Sequence, residues 1–223
     1  MTNDKLGILG GSFDPIHYGH LRPAQAVRDR LALEPMLIIP APHPPHRRLP
    51  VAEAHHRLRM AELACEEFAG FQVDDREYRR GGPSFTVLTL ESLRSEFGRR
   101  PICLLLGMDA FEGLETWHEW TRLPQLAHLV VMTRPGWEFP GEAQLPAWAR
   151  GRVVHEARAL SQSSAGNILF QPVPPEDISA TALRAAIARG ESVRGRVPDA
   201  VWEYIGANHL YQTRGVDAET QSR

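Results

Sequence analysis

A chain of 223 residues, 43% hydrophobic and 23% charged, can bury one substantial α/β core with a small appended subdomain, which excludes two large domains. A formal net charge of −2 gives no electrostatic basis for binding nucleic acid, which draws on clustered Lys and Arg. Two cysteines, Cys65 and Cys103, make no disulfide framework, and no apolar run is long enough to span a membrane, so the expectation is a soluble protein of a reducing cytoplasm.

The apolar run Leu6–Leu9 leads directly into Gly10-Gly11-Ser12-Phe13-Asp14-Pro15-Ile16-His17-Tyr18-Gly19-His20, and a helical pattern follows from near Leu21. This reads as strand, anion-binding loop, helix. Paired glycines at a strand end remove the Cβ atoms that would hold a ligand off the backbone, and they permit positive φ at the turn. Asp14-Pro15 favours a turn, since Asp bonds its own backbone and Pro presets φ. The free N–H groups of a helix start attract an anion, and His17 and His20, three residues apart, project to one side. A phosphate facing two imidazoles unites these features. A metal site lacks a third nearby ligand other than Asp14, and a plain glycine-rich connection leaves the register of glycines, turn and helix unexplained.

Ala24, Val27 and Leu31 mark an amphipathic helix over 21–33, ended by Pro35, and Met36–Ile39 is a strand covered on both faces, which completes a βαβ unit. The proline-rich segment 40–50 is a loop at the carboxyl end of that strand, where His46 and Arg47 are either exposed basic residues or phosphate ligands. Ala54, Leu58, Ala61, Cys65 and Phe68 trace the apolar face of a second helix, with His55 and His56 toward solvent. Phe71–Asp74 alternates as a short strand, and 76–83 reads as a polar connection. Ser84 or Thr86 then caps a helix carrying Val87, Leu90, Leu93 and Phe97.

Ile102–Leu106 is the clearest buried strand. It ends in Gly107-Met108-Asp109, with Asp109 placed either to cap the next helix or to accept bonds from ribose hydroxyls. Trp117 and Trp120 bracket His118 and Glu119; an indole at this place is either core or the stacking face for a flat, electron-poor ring. His128–Met132 is a strand leading to Arg134, 136–166 is an irregular insertion or flap to which no chemistry is assigned, and Ile168–Val173 returns to strand. Ser179 opens a helix with Thr181, Leu183, Arg184 and Ile187, whose N-terminus suits either a plain cap or triphosphate oxygens. Pro198 begins a last helix with Val201, Trp202 and Ile205, and 212–223 reads as a disordered tail.

The Gly-Gly-Ser-Phe-Asp-Pro-Ile-His-Tyr-Gly-His string resembles the signature of the nucleotidyltransferase superfamily with the His-x-Gly-His motif, most closely that of bacterial nicotinate-nucleotide adenylyltransferases. Three further strings extend the likeness: Pro44-Pro45-His46-Arg47, Pro83-Ser84-Phe85-Thr86 with Phe where the family has Tyr, and Ile178-Ser179-Ala180-Thr181-Ala182-Leu183-Arg184. The resemblance runs from about Leu6 to Tyr211. It implies a Rossmann-like, doubly wound, mostly parallel sheet with helices on both faces over 1–176, followed by a small C-terminal helical subdomain over 177–211.

The same resemblance implies transfer of AMP from ATP to nicotinate mononucleotide with Mg²⁺, with nicotinamide mononucleotide and phosphopantetheine as alternative acceptors. It implies ATP binding by Gly10, Gly11, Ser12, Phe13, His17, Gly19, His20, Gly107, Asp109, Arg134, Ile178, Ser179, Thr181 and Arg184, with His17, His20 and Arg184 catalytic. The mononucleotide falls to His46, Arg47, Ser84, Phe85, Thr86, Trp117 and His118, and no residue is assigned as a metal ligand. Phe85 lacks the family's hydroxyl, so only its packing carries over. A class I aminoacyl-tRNA synthetase fragment would carry a Lys-rich signature where this chain has Ser, Thr and Arg, and a nucleotide sensor would bind without turnover. The dinucleotide pattern Gly-x-Gly-x-x-Gly and the P-loop pattern are both absent.

Overall fold

The computed structural model describes residues 5–45 and 50–212. Six strands, β1 (Lys5–Gly11), β2 (Leu33–Pro40), β3 (Phe71–Val73), β4 (Ile102–Gly107), β5 (His128–Thr133) and β6 (Ile168–Pro172), form one sheet in the order β3-β2-β1-β4-β5-β6. Every neighbouring pair is parallel, so the mostly parallel sheet expected from the sequence has no antiparallel member. Strand order reverses between β1 and β4, and this is where an open α/β sheet binds ligands at its carboxyl edge.

The register explains how that edge opens. Pairing between β1 and β4 stops at Ile8↔Leu104, whereas β1 remains paired with β2 as far as Gly11↔Pro40, and β4 with β5 as far as Gly107↔Met132. The last residues of β1 and β4 therefore diverge, each held from its outer side, and a crevice forms between them.

The helices are α1 (Tyr18–Leu31), α2 (Ala54–Glu66), α3 (Arg76–Arg80), α4 (Thr86–Phe97), α5 (Met108–Glu112), α6 (Leu123–Leu126), α7 (Ala180–Ala188) and α8 (Asp199–Ala207). Alternation along each strand sorts the core into two layers. Met36, Ile38, Cys103, Leu105 and Val130 pack with α1, α2, α7 and α8, while Leu37, Ile39, Leu104, Leu106 and Val131 pack with α4, α5 and α6. Leu183, Ile187, Val201 and Ile205 thus join the same apolar cluster as Leu21 and Val27, which packs the 177–211 segment into the body of the fold. Among the described residues, no helix is long and apolar enough to cross a membrane.

Several boundaries differ from the sequence reading. Helix α1 starts at Tyr18 rather than near Leu21, and it ends at Ala32, which takes a left-handed conformation, while Pro35 lies inside β2. The 76–83 connection contains α3, whose polar residues are buried against one another: Arg76 reaches Asp74, Ser92 and Glu96. Neither Ser84 nor Thr86 caps α4. The N-cap is Phe85, and the Ser84 hydroxyl instead accepts the His43 N–H at 3.2 Å. Within 136–166, three short 3₁₀ turns and the Val153↔Ile168 bridge bury Leu145, Ala149 and Leu160.

On α2 the buried face includes Arg57 in place of the expected Leu58, which is only half-buried. The Arg57 guanidinium is 1% exposed and donates to four carbonyls: Ala52 at 3.1 Å, Ser12 and Pro42 at 2.8 Å each, and Ala41 at 2.6 Å. One side chain thereby ties the start of α2 to the loops after β1 and β2. Replacing Arg57 with Met should cost about 3 kcal/mol or more, because buried carbonyls lose their donor. Urea denaturation reads this directly, and a loss under about 1 kcal/mol would mean the clamp carries little of the fold's stability.

Candidate active site

Two neighbouring regions meet at the crevice, a histidine-bearing cradle and a largely apolar cavity. The cradle is built from the loop after β1, the first turn of α1 and the start of α7. Gly10 and Gly11 lie within β1 with ordinary strand geometry, and the positive φ sits at Phe13 (48°), so the turn itself does not require the glycines. What Gly11 supplies is room, since a Cβ there would lie 2.9 Å from the Phe13 ring. Gly19 is restricted more severely: a Cβ would come within 2.9 Å of the His17 ring and 3.0 Å of the Ile178 carbonyl. The motif thus packs directly on the lead-in to α7.

His17 is the N-cap of α1 and His20 lies in its first turn. Their rings stack, with centroids 3.7 Å apart and planes 28° apart. The His17 N–H donates to His20 Nδ1 at 3.3 Å, which places the proton of a neutral His20 on Nε2. His17 is 4% exposed, and its Nδ1 has no hydrogen-bond partner. Burial lowers its pKa from 6.5 to about 4, so at neutral pH it is an uncharged donor or acceptor.

Asp14 holds the cradle together, a role the sequence reading did not assign beyond the turn. Its Oδ2 accepts from the Val51 N–H at 2.7 Å, and its Oδ1 accepts from the Ala52 N–H at 3.0 Å and the Tyr211 hydroxyl at 2.8 Å. Burial and the Asp14 charge push the Tyr211 phenol up, so it stays a donor. Arg184, one turn into α7, donates to the Asp14 carbonyl at 2.7 Å and to Thr181 Oγ1 at 3.3 Å, and its Nη1 lies 3.7 Å from Asp14 Oδ2. Ser179 caps α7 by accepting the Ala182 N–H at 3.2 Å, as its position predicts. The strongest sequence signal for the Asp14 network was Asp14 itself; Tyr211, far along the chain, carried none.

The cavity, about 330 Å³, occupies the gap between β1 and β4. It gathers Gly10, Gly11, Ser12, Asp109, Ser84, Phe85, Thr86, Trp117 and His118 from the sequence-derived site, and adds Glu77 and Thr89, which that reading missed. Asp109 lies in the first turn of α5, whose N-cap is Gly107, so the cap alternative for Asp109 does not hold. The His118 ring stacks on Phe85 with centroids 4.1 Å apart. Phe13, His17, Gly19, His20, Gly107, Arg134, Ile178, Ser179, Thr181 and Arg184 are not in the cavity wall, and Arg134 is exposed beyond the end of β5. His46 and Arg47 lie outside the described residues.

A switch-point crevice, a strand-to-helix loop entered through two glycines and paired imidazoles agree with the nucleotidyltransferase class that the family comparison shows. The cytidylyltransferase-like family model matches residues 8–186. Among curated proteins, the chain is 45% identical over 216 residues to a "Probable nicotinate-nucleotide adenylyltransferase" of Acidithiobacillus ferrooxidans, covering 95% of this chain and 98% of that one. It is 42% identical over 214 residues to a protein of the same description in Pseudomonas syringae pv. tomato, covering 96% of each. Among solved structures, a Plasmodium falciparum nicotinic acid mononucleotide adenylyltransferase complexed with NaAD shares the fold at a TM-score of 0.68 and 16% identity, over 93% of this chain and 97% of that one. The chain belongs to the cytidylyltransferase-like family and, within it, to the nicotinate-nucleotide adenylyltransferases.

The His17 environment sets an acid limit on stability. The unfolded chain takes up this proton first, so stability should fall as pH drops from about 6.5 to about 4. The ring's C2 proton resonance should titrate near 4; a midpoint above about 6 would show that burial does not hold the imidazole neutral.

Proposed function

We propose that the protein transfers AMP from ATP to nicotinate mononucleotide, forming nicotinate adenine dinucleotide and releasing pyrophosphate. The observation that carries this reading is the juxtaposition, across one strand gap, of an aromatic-walled cavity containing Trp117 and Thr86 with the His17/His20 cradle. The cavity suits a flat ring, and the cradle suits phosphate oxygens. The descriptions of the relatives support the choice of acceptor.

In this reading the acceptor's phosphate attacks the α-phosphorus of ATP in line, and pyrophosphate leaves. The nucleophile is already anionic, so no general base is needed, and acceleration comes from positioning and from stabilising charge on the transferring group. His20 donates from Nε2, and His17 donates from a neutral ring. Arg184, held by Asp14, faces the β- and γ-phosphates together with the α7 N-terminus. Gly10, Gly11, Ser12 and Phe13 shape the approach of the triphosphate; Gly107, Asp109 and Arg134 take the adenosine; Ile178, Ser179 and Thr181 complete the phosphate side. Ser84, Phe85, Thr86, Trp117 and His118 hold the nicotinate half, joined by His46 and Arg47.

Among the described residues there is no group of three His, Cys, Asp or Glu arranged for a metal ion. Mg²⁺ is proposed as the companion of ATP, where it would supply positive charge to the pyrophosphate. A cytoplasmic setting is part of this reading; Cys65 and Cys103 are free and buried, and burial pushes their thiols up to about 12.

Pyrophosphate release with ATP and Mg²⁺ should be fastest with nicotinate mononucleotide, compared with nicotinamide mononucleotide and phosphopantetheine. A faster rate with phosphopantetheine would overturn the acceptor assignment. His20→Ala should lower kcat by ~10², as for the loss of one donor to a developing oxyanion. A near-normal kcat would remove His20 from the chemistry.

A further inference from the structure

The cavity wall contains a buried carboxylate that the phosphate chemistry does not use. Glu77, on α3, is 6% exposed, and its Oε1 accepts the Thr89 hydroxyl at 2.5 Å. Thr89 in turn accepts from Arg80 Nη1 at 3.2 Å, so a cation is relayed to one carboxylate oxygen. The other oxygen, Oε2, is buried and makes no well-formed hydrogen bond, although the Ser84 hydroxyl lies near enough to the carboxylate to favour its charged form. Native structures rarely leave a buried carboxylate oxygen unmatched.

Arg80 is a basic neighbour of Glu77 through Thr89, but the cavity lining itself is acidic. Among the described residues lining the cavity, the carboxylates are Glu77 and Asp109, and there is no Lys or Arg. A cavity of this kind favours a cation. The N-ribosylated pyridine ring of the proposed acceptor is a flat, permanently charged cation, and Trp117 in the same wall presents an indole to it.

We propose that Glu77 is a specificity-determining residue that recognises the positive charge of the acceptor's pyridinium ring; this rests on the nicotinate mononucleotide reading above. The acceptor's own carboxylate is then left to uncharged donors such as the Thr86 hydroxyl and backbone N–H groups. Burial raises the Glu77 carboxyl above its ordinary range, with Asp74 adding to the rise and Arg80, Thr89 and Ser84 opposing it. Burial in the cavity wall therefore disfavours this charge, and a cation beside it relieves that cost.

The test compares two acceptors in the complete enzyme: nicotinate mononucleotide and the isosteric 3-carboxyphenyl C-riboside 5′-phosphate, whose ring is uncharged. The readout is the ratio of their kcat/KM values. Wild type should favour the charged ring by about tenfold or more, and Glu77→Gln, which keeps an acceptor for Thr89 but no charge, should bring the ratio within about threefold. Glu77→Asp should retain part of the preference. A residue that only braced the cavity would lower both acceptors alike and leave the ratio unchanged, and that result overturns the proposal. Should Glu77→Gln fail to fold, a wild-type ratio near one overturns it without any variant. If wild type does not use nicotinate mononucleotide at all, the acceptor reading falls and takes this inference with it; normal use with an unchanged ratio overturns this inference alone.

Discussion

The site depends on one departure from regular sheet pairing. Beyond Ile8 and Leu104, β1 and β4 cease to pair, although each continues against its other neighbour. Backbone groups on the facing edges must find other partners or a ligand, and the loops that leave those edges must be held in place by something other than the ladder. The molecule answers with two buried charged side chains. Arg57 collects carbonyls from the loops after β1 and β2, and Asp14 collects N–H groups from 51–52 and the Tyr211 hydroxyl.

These two anchors are complementary in kind. A guanidinium has only donors and an ionised carboxylate only acceptors, so between them they can satisfy both halves of irregular backbone. Each bonds mostly to backbone, which makes the arrangement tolerant of side-chain identity in the loops but intolerant of change at the anchors. Arg184 adds a third link by donating to the Asp14 carbonyl, so α7 is registered on the glycine loop by a hydrogen bond as well as by the apolar contacts of Leu183 and Ile187. Gly19 permits that approach, because any side chain would strike the Ile178 carbonyl.

Most of the fold was legible in the sequence because its strands are short, apolar and bounded by breakers: Ile102–Leu106 and His128–Met132 stand out without tertiary information. The helix start at Tyr18 was not legible, since its cap is a histidine, a residue with no strong capping preference, and the motif's own chemistry drew the boundary too late. α3 was missed for a related reason. Arg76 and Glu77 look like solvated loop residues until Asp74, Glu96 and Thr89 are brought beside them by β3 and α4. The same blindness hid Arg57, whose partners are backbone atoms and leave no pattern in a sequence. Motif residues were legible as a group, yet the division of that group into cavity wall and cradle required the three-dimensional arrangement.

That division has an electrostatic meaning. The described cavity wall carries the carboxylates Glu77 and Asp109 and no Lys or Arg, while the cradle is bordered by Arg184 and underlain by Arg57. Two imidazoles stacked 3.7 Å apart would repel if both were charged, and burial of His17 keeps at least one neutral. In the proposed reaction histidine would therefore contribute direction more than charge, and the positive field around a phosphate in the cradle would come from arginine and from the helix start of α7. A reaction that brings an anionic phosphate to a second phosphate needs donors already aimed and little reorganisation. A neutral His17 ring stacked on a His20 ring that a backbone N–H holds in place meets that need, without a proton equilibrium near neutral pH at His17.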